Sequence, residues 1–253
     1  MVKVRRKKIV RVVPDMSKVQ IAVLGHSPRQ FESLPFRSWL FPTYLDRLDL
    51  GFHCEFQTNN WAEARAFLCD SLFDYSKYDY VGVVSASWNE KYHRPSLEKI
   101  DRHEHIHSLF DKNTVLTGVL EPLGTWDTVF NKLGFTNGTK ISDFVKSHFN
   151  KVDTEKLVPA CNTMICHKSI YTKLCEFHKS TAKEVKDFVD KYGDMPSNKL
   201  AGVRKYAYVV EAMTMAYFQS KNYNYIPIAK IHPQWYNQLA AKKRYRDDNR
   251  QAK

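Results

Sequence analysis

At 253 residues, with 43% hydrophobic and 13% aromatic side chains, the chain is long enough to bury a sizeable core and too apolar to be a disordered tail. Its 39 Lys and Arg against 27 Asp and Glu leave a formal charge of +12, which favours a polyanionic partner: nucleic acid, an anionic membrane surface or phosphorylated substrates. No run reaches the length of a membrane span, there is no secretory apolar opening, and five cysteines without a short repeated spacing fit a reducing, cytoplasmic setting better than a disulfide framework or a common zinc site.

Residues 1–17 read as a basic arm, with Arg5, Arg6, Lys7 and Lys8 placed to track phosphates or simply to be solvated. Residues 19–26 form a first strand that stops at Gly25 and enters a polar loop. In an open α/β sheet that loop commonly lies against a nucleotide, so His26 and Arg29 are candidate ligand contacts, with plain surface residues as the alternative. Residues 52–57 read as a second strand. Trp61, Ala64, Leu68 and Leu72 recur at helical spacing, so residues 61–73 read as a helix, capped by Asn60 with Glu63 completing a capping box.

The apolar run at residues 78–84 reads as a strand buried on both faces. It gives way to Ser85, Ser87, Trp88 and Asn89, which then sit at a pocket mouth or in an ordinary turn. Residues 95–110 read as a helix on which His103 and His107 can share a face. Without a third ligand at a recognisable spacing, a polar surface face is preferred to a metal site there. A strand follows at 114–120, then an amphipathic helix carrying Ile141, Phe144, Val145, His148 and Phe149.

Residues 157–166 form a further apolar strand interrupted by Asn162, whose amide needs hydrogen bonds from backbone or ligand. A helix from Lys168 to about Tyr192 ends at a Gly193 turn, and a last long helix covers 203–221. Arg204, Tyr208 and Glu211 line one side of that helix. Glu211, among core-like neighbours, is either half of a structural ion pair or a catalytic carboxylate. Residues 225–231 return as a short edge strand leading to His232, and residues 233–253 end the chain with a second basic cluster, Lys242, Lys243 and Arg244. The chain has no GxxxxGK, GxGxxG or HExxH run, which argues against the familiar nucleotide hydrolases, Rossmann dehydrogenases and zinc proteases.

Taken in order, several segments resemble a poorly characterised group of bacterial glycosyltransferases from capsule and surface-polysaccharide loci. The matching residues are Leu24-Gly25-His26-Ser27, then Asn59, Asn60 and Glu63, Asp79-Tyr80-Val81-Gly82, Asn162-Thr163-Met164-Ile165, Arg204 to Glu211, and Ile226-Pro227-Ile228. The group's strand continues into His-Tyr-Arg-Arg-Tyr where this chain has Ser85-Ala86-Ser87-Trp88-Asn89. The resemblance implies an α/β, GT-A-like single domain over residues 18–232, with a mostly parallel central sheet flanked by helices.

It further implies transfer of a sugar from a nucleotide-sugar donor to an acceptor hydroxyl. Donor contacts would come from His26, Arg29, Ser85, Ser87, Trp88, Asn89 and Asn162, and Glu211 and Arg204 are the catalytic candidates. Mg²⁺ or Mn²⁺ would suit such a site, but no Asp-x-Asp follows the strand at 78–84. Diphosphate binding by Arg or Lys, or a metal held by other oxygen ligands with His232, both stay open. The basic ends favour nucleic acid as acceptor, for example hydroxymethylated bases in a virus-encoded DNA-modification system in the host cytoplasm, where Trp88 or Tyr92 could stack on an exposed base. A surface glycan is the alternative acceptor, and a non-enzymatic nucleic-acid-binding α/β protein is the competing class.

Overall fold

A computed structural model describes residues 16–32, 38–86, 111–122, 126–150, 153, 155–195 and 204–227. Six strands make one sheet: β1 (Val19–Gly25), β2 (Leu40–Tyr44), β3 (Tyr80–Ser85), β4 (Thr114–Pro122), β5 (Leu157–His167) and β6 (Asn224–Pro227), in the order β2-β1-β3-β5-β4-β6. β1 pairs parallel with β2 and β3, β4 pairs parallel with β6, and β5 runs antiparallel to both of its neighbours. Five strands therefore share one direction and only β5 opposes them, giving the mostly parallel α/β sheet expected.

Among the described residues four α-helices accompany it: α1 (Trp126–Leu133), α2 (Gly138–Ser147), α3 (Lys168–Tyr192) and α4 (Lys205–Gln219). The larger core lies on the sheet face that carries Ala22, Leu24, Val81, Val83, Met164 and Cys166, packed against α2, α3, α4 and a helical segment at Asn59–Phe67. Ile21, Val23, Val84, Leu116 and Ile165 form a second core on the opposite face with Trp39. β3 is buried on both faces, as its unbroken apolar run requires. Gly82 permits its close approach to β5, since a Cβ there would stand 2.6 Å from the Met164 carbonyl oxygen.

α3 shows how local sequence sets an element. The His167 ring Nδ1 accepts a hydrogen bond from the Ser169 backbone N–H at 3.2 Å, capping the first turn. Ile170, Tyr171, Leu174, Cys175, His178, Val185 and Val189 then recur on one buried stripe. The helix ends at Tyr192, as expected, where Gly193 donates to the Val189 carbonyl.

Three expectations are corrected. The second strand is not 52–57, which forms a 3-10 segment at Gly51–Phe56; it is β2, earlier in the chain at Leu40–Tyr44. β2 lies at the sheet edge with Pro42 exposed, where a missing N–H removes no ladder bond on its outer side. The segment read as a helix at 61–73 is 3-10 at Asn59–Phe67, broken where Ala62 adopts φ +41°. Thr58 is its cap, so Asn60 is not, and Glu63 engages β3 instead of closing a capping box. α1 was not foreseen. The helix expected at 95–110 lies outside the described residues.

Cys69, Cys166 and Cys175 are buried free thiols, and burial pushes the Cys175 thiol up to about 12, so these act as small apolar residues. No helix among the described residues is long and apolar enough to cross a membrane.

His178 is wholly enclosed between α3 and α4, and its Nε2 lies 2.9 Å from the Thr214 hydroxyl. Burial holds the imidazole down to about 3, against an ordinary value of 6.5. The unfolded chain therefore takes up a proton that the folded chain refuses, and stability present above pH 6.5 falls away as the pH drops toward 3. Urea midpoints measured from pH 7 to pH 4 should decline more steeply for the wild type than for His178→Gln. Equal slopes would remove His178 as a source of acid sensitivity.

Candidate active site

β1, β2 and β3 run in one direction, so their carboxyl ends open along the same edge of the sheet. β1 ends at Gly25, where a Cβ would stand 2.7 Å from the Phe31 ring and 3.1 Å from the Ala86 Cβ; glycine lets the following loop fold back. That loop is tied by Gln30, whose Oε1 accepts from the His26 and Ser27 backbone N–H groups at 2.6 and 3.1 Å. His26 is half-buried there and Arg29 is exposed on the Pro28–Phe31 turn. After β2 the Leu45–Arg47 turn brings Asp46 to His26, with Oδ1 3.6 Å from Nδ1.

The Asn59–Phe67 segment joins this edge to α4. Trp61 stacks on Tyr206 of α4, centroids 5.2 Å apart and rings inclined by 13°, and Phe56 packs on Trp61 at 4.8 Å. The kink at Ala62 turns its carbonyl to Arg65, whose Nε donates to it at 3.2 Å, while Nη2 donates to Asp46 Oδ1 at 3.1 Å. Arg65 is only 1% exposed. Burial lowers its pKa, and the bond and charge of Asp46, with the charge of Glu63, work against that loss. Glu63 is half-buried and accepts a hydrogen bond from the Ser85 hydroxyl at the end of β3, at 3.3 Å.

Tyr208 of α4 brings the remaining charges together. Burial raises its phenol pKa; Arg204 opposes this, and Glu211 and Glu63 add to it. The Tyr208 hydroxyl thus lies within the electrostatic reach of two carboxylates and one guanidinium. The adjoining turn of α4 is fixed by Tyr206, which donates to Asp190 of α3. Asp190 also accepts from Lys186 at 2.7 Å and Lys205 at 3.1 Å, and these bonds outweigh partial burial to hold its carboxyl at about 2.

Asn162 occupies a break in β5. The β4–β5 register passes from Thr117–Met164 to Val119–Ala160, so β5 has Cys161, Asn162 and Thr163 where β4 has Gly118 alone. Asn162 adopts φ +43° in this bulge, a conformation that asparagine tolerates better than most side chains. The β3–β5 pairing ends at Val83–Met164, which puts Asn162 two residues further on, level with Ser85. Its Oδ1 accepts from the Thr214 hydroxyl at 3.1 Å, one turn of α4 beyond Glu211.

Among the residues singled out from sequence, Ser85 is bonded to Glu63, and Arg204 and Glu211, with Glu63, act electrostatically on Tyr208. It links His26 to them through Asp46 and Arg65, and Asn162 through α4. Arg29 faces solvent. Ser87, Trp88, Asn89, His232 and the basic residues Arg5, Arg6, Lys7, Lys8, Lys242, Lys243 and Arg244 lie outside the described residues. Among the described residues no three His, Cys, Asp or Glu side chains are grouped to hold a metal ion. Asp46, Arg65 and Thr214 were missed. Arg65 carried a signal, as the one basic residue in the apolar run Trp61 to Leu68.

No protein-family model matches this chain, and no curated protein does. A solved structure does: that of WbbM, a bifunctional glycosyltransferase in its apo form, with a TM-score of 0.51 and 13% identity over 83% of this chain. The chain has a glycosyltransferase-like fold. It spans 44% of the length of WbbM, and at this identity the likeness concerns the fold.

The Asp46–Arg65 pair gives a stability test. Asp46→Ala strands a buried cation and should cost on the order of 1–3 kcal/mol, less than for a fully buried pair because Asp46 is half exposed. Arg65→Leu removes the cation and should cost less. Urea denaturation of both variants checks the order, and a larger loss for Arg65→Leu would mean that packing of the arginine stem dominates.

Proposed function

We propose that the chain is a glycosyltransferase that moves a sugar from a nucleotide-sugar donor to an acceptor hydroxyl. The observation that carries this reading is the Ser85–Glu63 bond at the carboxyl end of β3 in a glycosyltransferase-like sheet, with Arg204 and Glu211 of α4 and Glu63 all acting electrostatically on Tyr208. The donor lies across the ends of β1 and β3, touching His26, Ser85 and Asn162, with Arg29 at the rim and Ser87, Trp88 and Asn89 continuing from Ser85. Glu211 takes the proton of the acceptor hydroxyl as its oxygen bonds the anomeric carbon. The bond from that carbon to the diphosphate breaks, the diphosphate leaves with the electron pair, and Arg204 offsets its growing charge. Glu63, held by Ser85 and facing Arg65, sets the charge balance around Tyr208.

The net charge of +12 supports an anionic acceptor, and hydroxymethylated DNA is the specific case, with an anionic surface glycan as the comparison. The test is incubation with a panel of nucleotide sugars, with and without Mg²⁺ or Mn²⁺, in the presence of hydroxymethylated DNA or a polysaccharide acceptor, following nucleotide release and acceptor mass. One donor should be consumed, and Glu211→Gln should lower kcat by about 10²–10⁴. Full turnover by a folded Glu211→Gln variant would eliminate it as the base. Absence of turnover from every donor, together with tight salt-sensitive DNA binding, would replace the enzyme reading with a non-enzymatic nucleic-acid-binding protein.

A further inference from the structure

Beneath the candidate active site, a buried polar chain runs from α3 through α4 to β5. His178 Nε2 is 2.9 Å from Thr214 Oγ1, and Thr214 Oγ1 is 3.1 Å from Asn162 Oδ1 and 2.9 Å from the Val210 carbonyl. His178, Thr214 and Asn162 are 3%, 1% and 8% exposed. The Thr214 hydroxyl has one proton, and both Asn162 Oδ1 and the Val210 carbonyl can only accept it. His178 must therefore be the partner that donates, from Nε2–H into the Thr214 oxygen. This fixes the sense of the whole chain: imidazole to hydroxyl to carboxamide oxygen.

The carboxamide of Asn162 is consequently held by its oxygen. Its nitrogen has no partner among the described residues, yet it does not figure among the buried polar atoms left without one: Gln20 Oε1, Thr43 Oγ1, Gln57 Oε1 and Gln219 Oε1. It is therefore not a fully enclosed donor, and Asn162 itself lies level with Ser85. The bulge and the positive φ at Asn162 set this residue out of the regular ladder at that level.

We propose that His178 and Thr214 are positioning residues that lock the Asn162 carboxamide with Nδ2 facing the site, where it donates a hydrogen bond to an oxygen of the nucleotide-sugar donor. The ligand half of this proposal rests on the glycosyltransferase reading; the orienting half does not. Thr214→Val keeps the shape and removes the proton, Thr214→Ser keeps the proton, and Asn162→Asp turns the donor into an acceptor.

The experiment uses the ¹⁵N-labelled full chain, with the Asn162 side-chain amide resonances assigned by their loss in Asn162→Asp. Long-range ¹H–¹⁵N spectra should show His178 as the Nε2–H tautomer. In Thr214→Val the Asn162 amide pair should shift or broaden, and Thr214→Ser should restore it. With the nucleotide sugar found to be turned over, Thr214→Val should raise its KM about tenfold with kcat within about twofold, the pattern of lost uniform binding, and Thr214→Ser should recover it. An Nδ1–H tautomer, or an Asn162 amide pair unmoved by Thr214→Val, would overturn the orienting chain. A donor KM unchanged in Asn162→Asp would overturn the ligand contact. An amide pair that responds as expected, in a protein that consumes no nucleotide sugar, would uphold the orienting chain and sink the glycosyltransferase reading.

Discussion

A full positive charge enclosed in protein has to be answered, and the answer to Arg65 organises this end of the molecule. Its guanidinium takes the Ala62 carbonyl and the Asp46 carboxylate, so the kink in Asn59–Phe67 and the position of the turn after β2 follow from one requirement. Asp46 is thereby placed beside His26, and Glu63, two residues before Arg65, is set facing the end of β3. Removing a charge from water is unfavourable, which is why these partners are held and not left to chance. The stack of Trp61 on Tyr206 transmits the same placement to α4.

The reversed strand supplies the other half of the site. β5 sits between β3 and β4 and runs against both, and its bulge falls level with the end of β3. A bulge in an interior strand leaves backbone and side chain out of the ladder, and here the residue left out is Asn162, tied below by Thr214. α4 touches both halves: Tyr206 meets the Arg65 segment, Tyr208 feels the charge of Glu63, and Thr214 reaches β5. It is the element through which the two halves keep a fixed relation.

Much of the scaffold was legible from sequence because its signals are local. The apolar run at β3, the span of α3 and the apolar middle of α4 each follow from periodicity and end signals within one element. β2 was not legible, since Pro42 and the short length mask a strand that only the neighbouring β1 makes favourable. The Phe52–Gln57 stretch misled for the opposite reason: its aromatic content fits a strand, yet Phe52 is fully exposed and only Phe56 is buried, against Trp61, so its aromatics do not share the covered face that a strand would give them. The polar candidates that could be singled out were those interrupting apolar runs, as Asn162 and Glu211 do. Asp46 and Thr214 were invisible because nothing in their own segments shows that they answer Arg65 and Asn162 across the fold.

The placement of Pro42 reaches beyond the monomer. β2 is the outermost strand on its side of the sheet, five residues long, and an exposed proline stands at its centre. An open strand edge offers a template onto which another polypeptide can add a strand of its own, the step that begins edge-to-edge aggregation. With its central amide proton missing, this edge cannot present a continuous row of donors to an incoming chain. The same residue that hid the strand from a reading of the sequence guards the sheet against growing sideways.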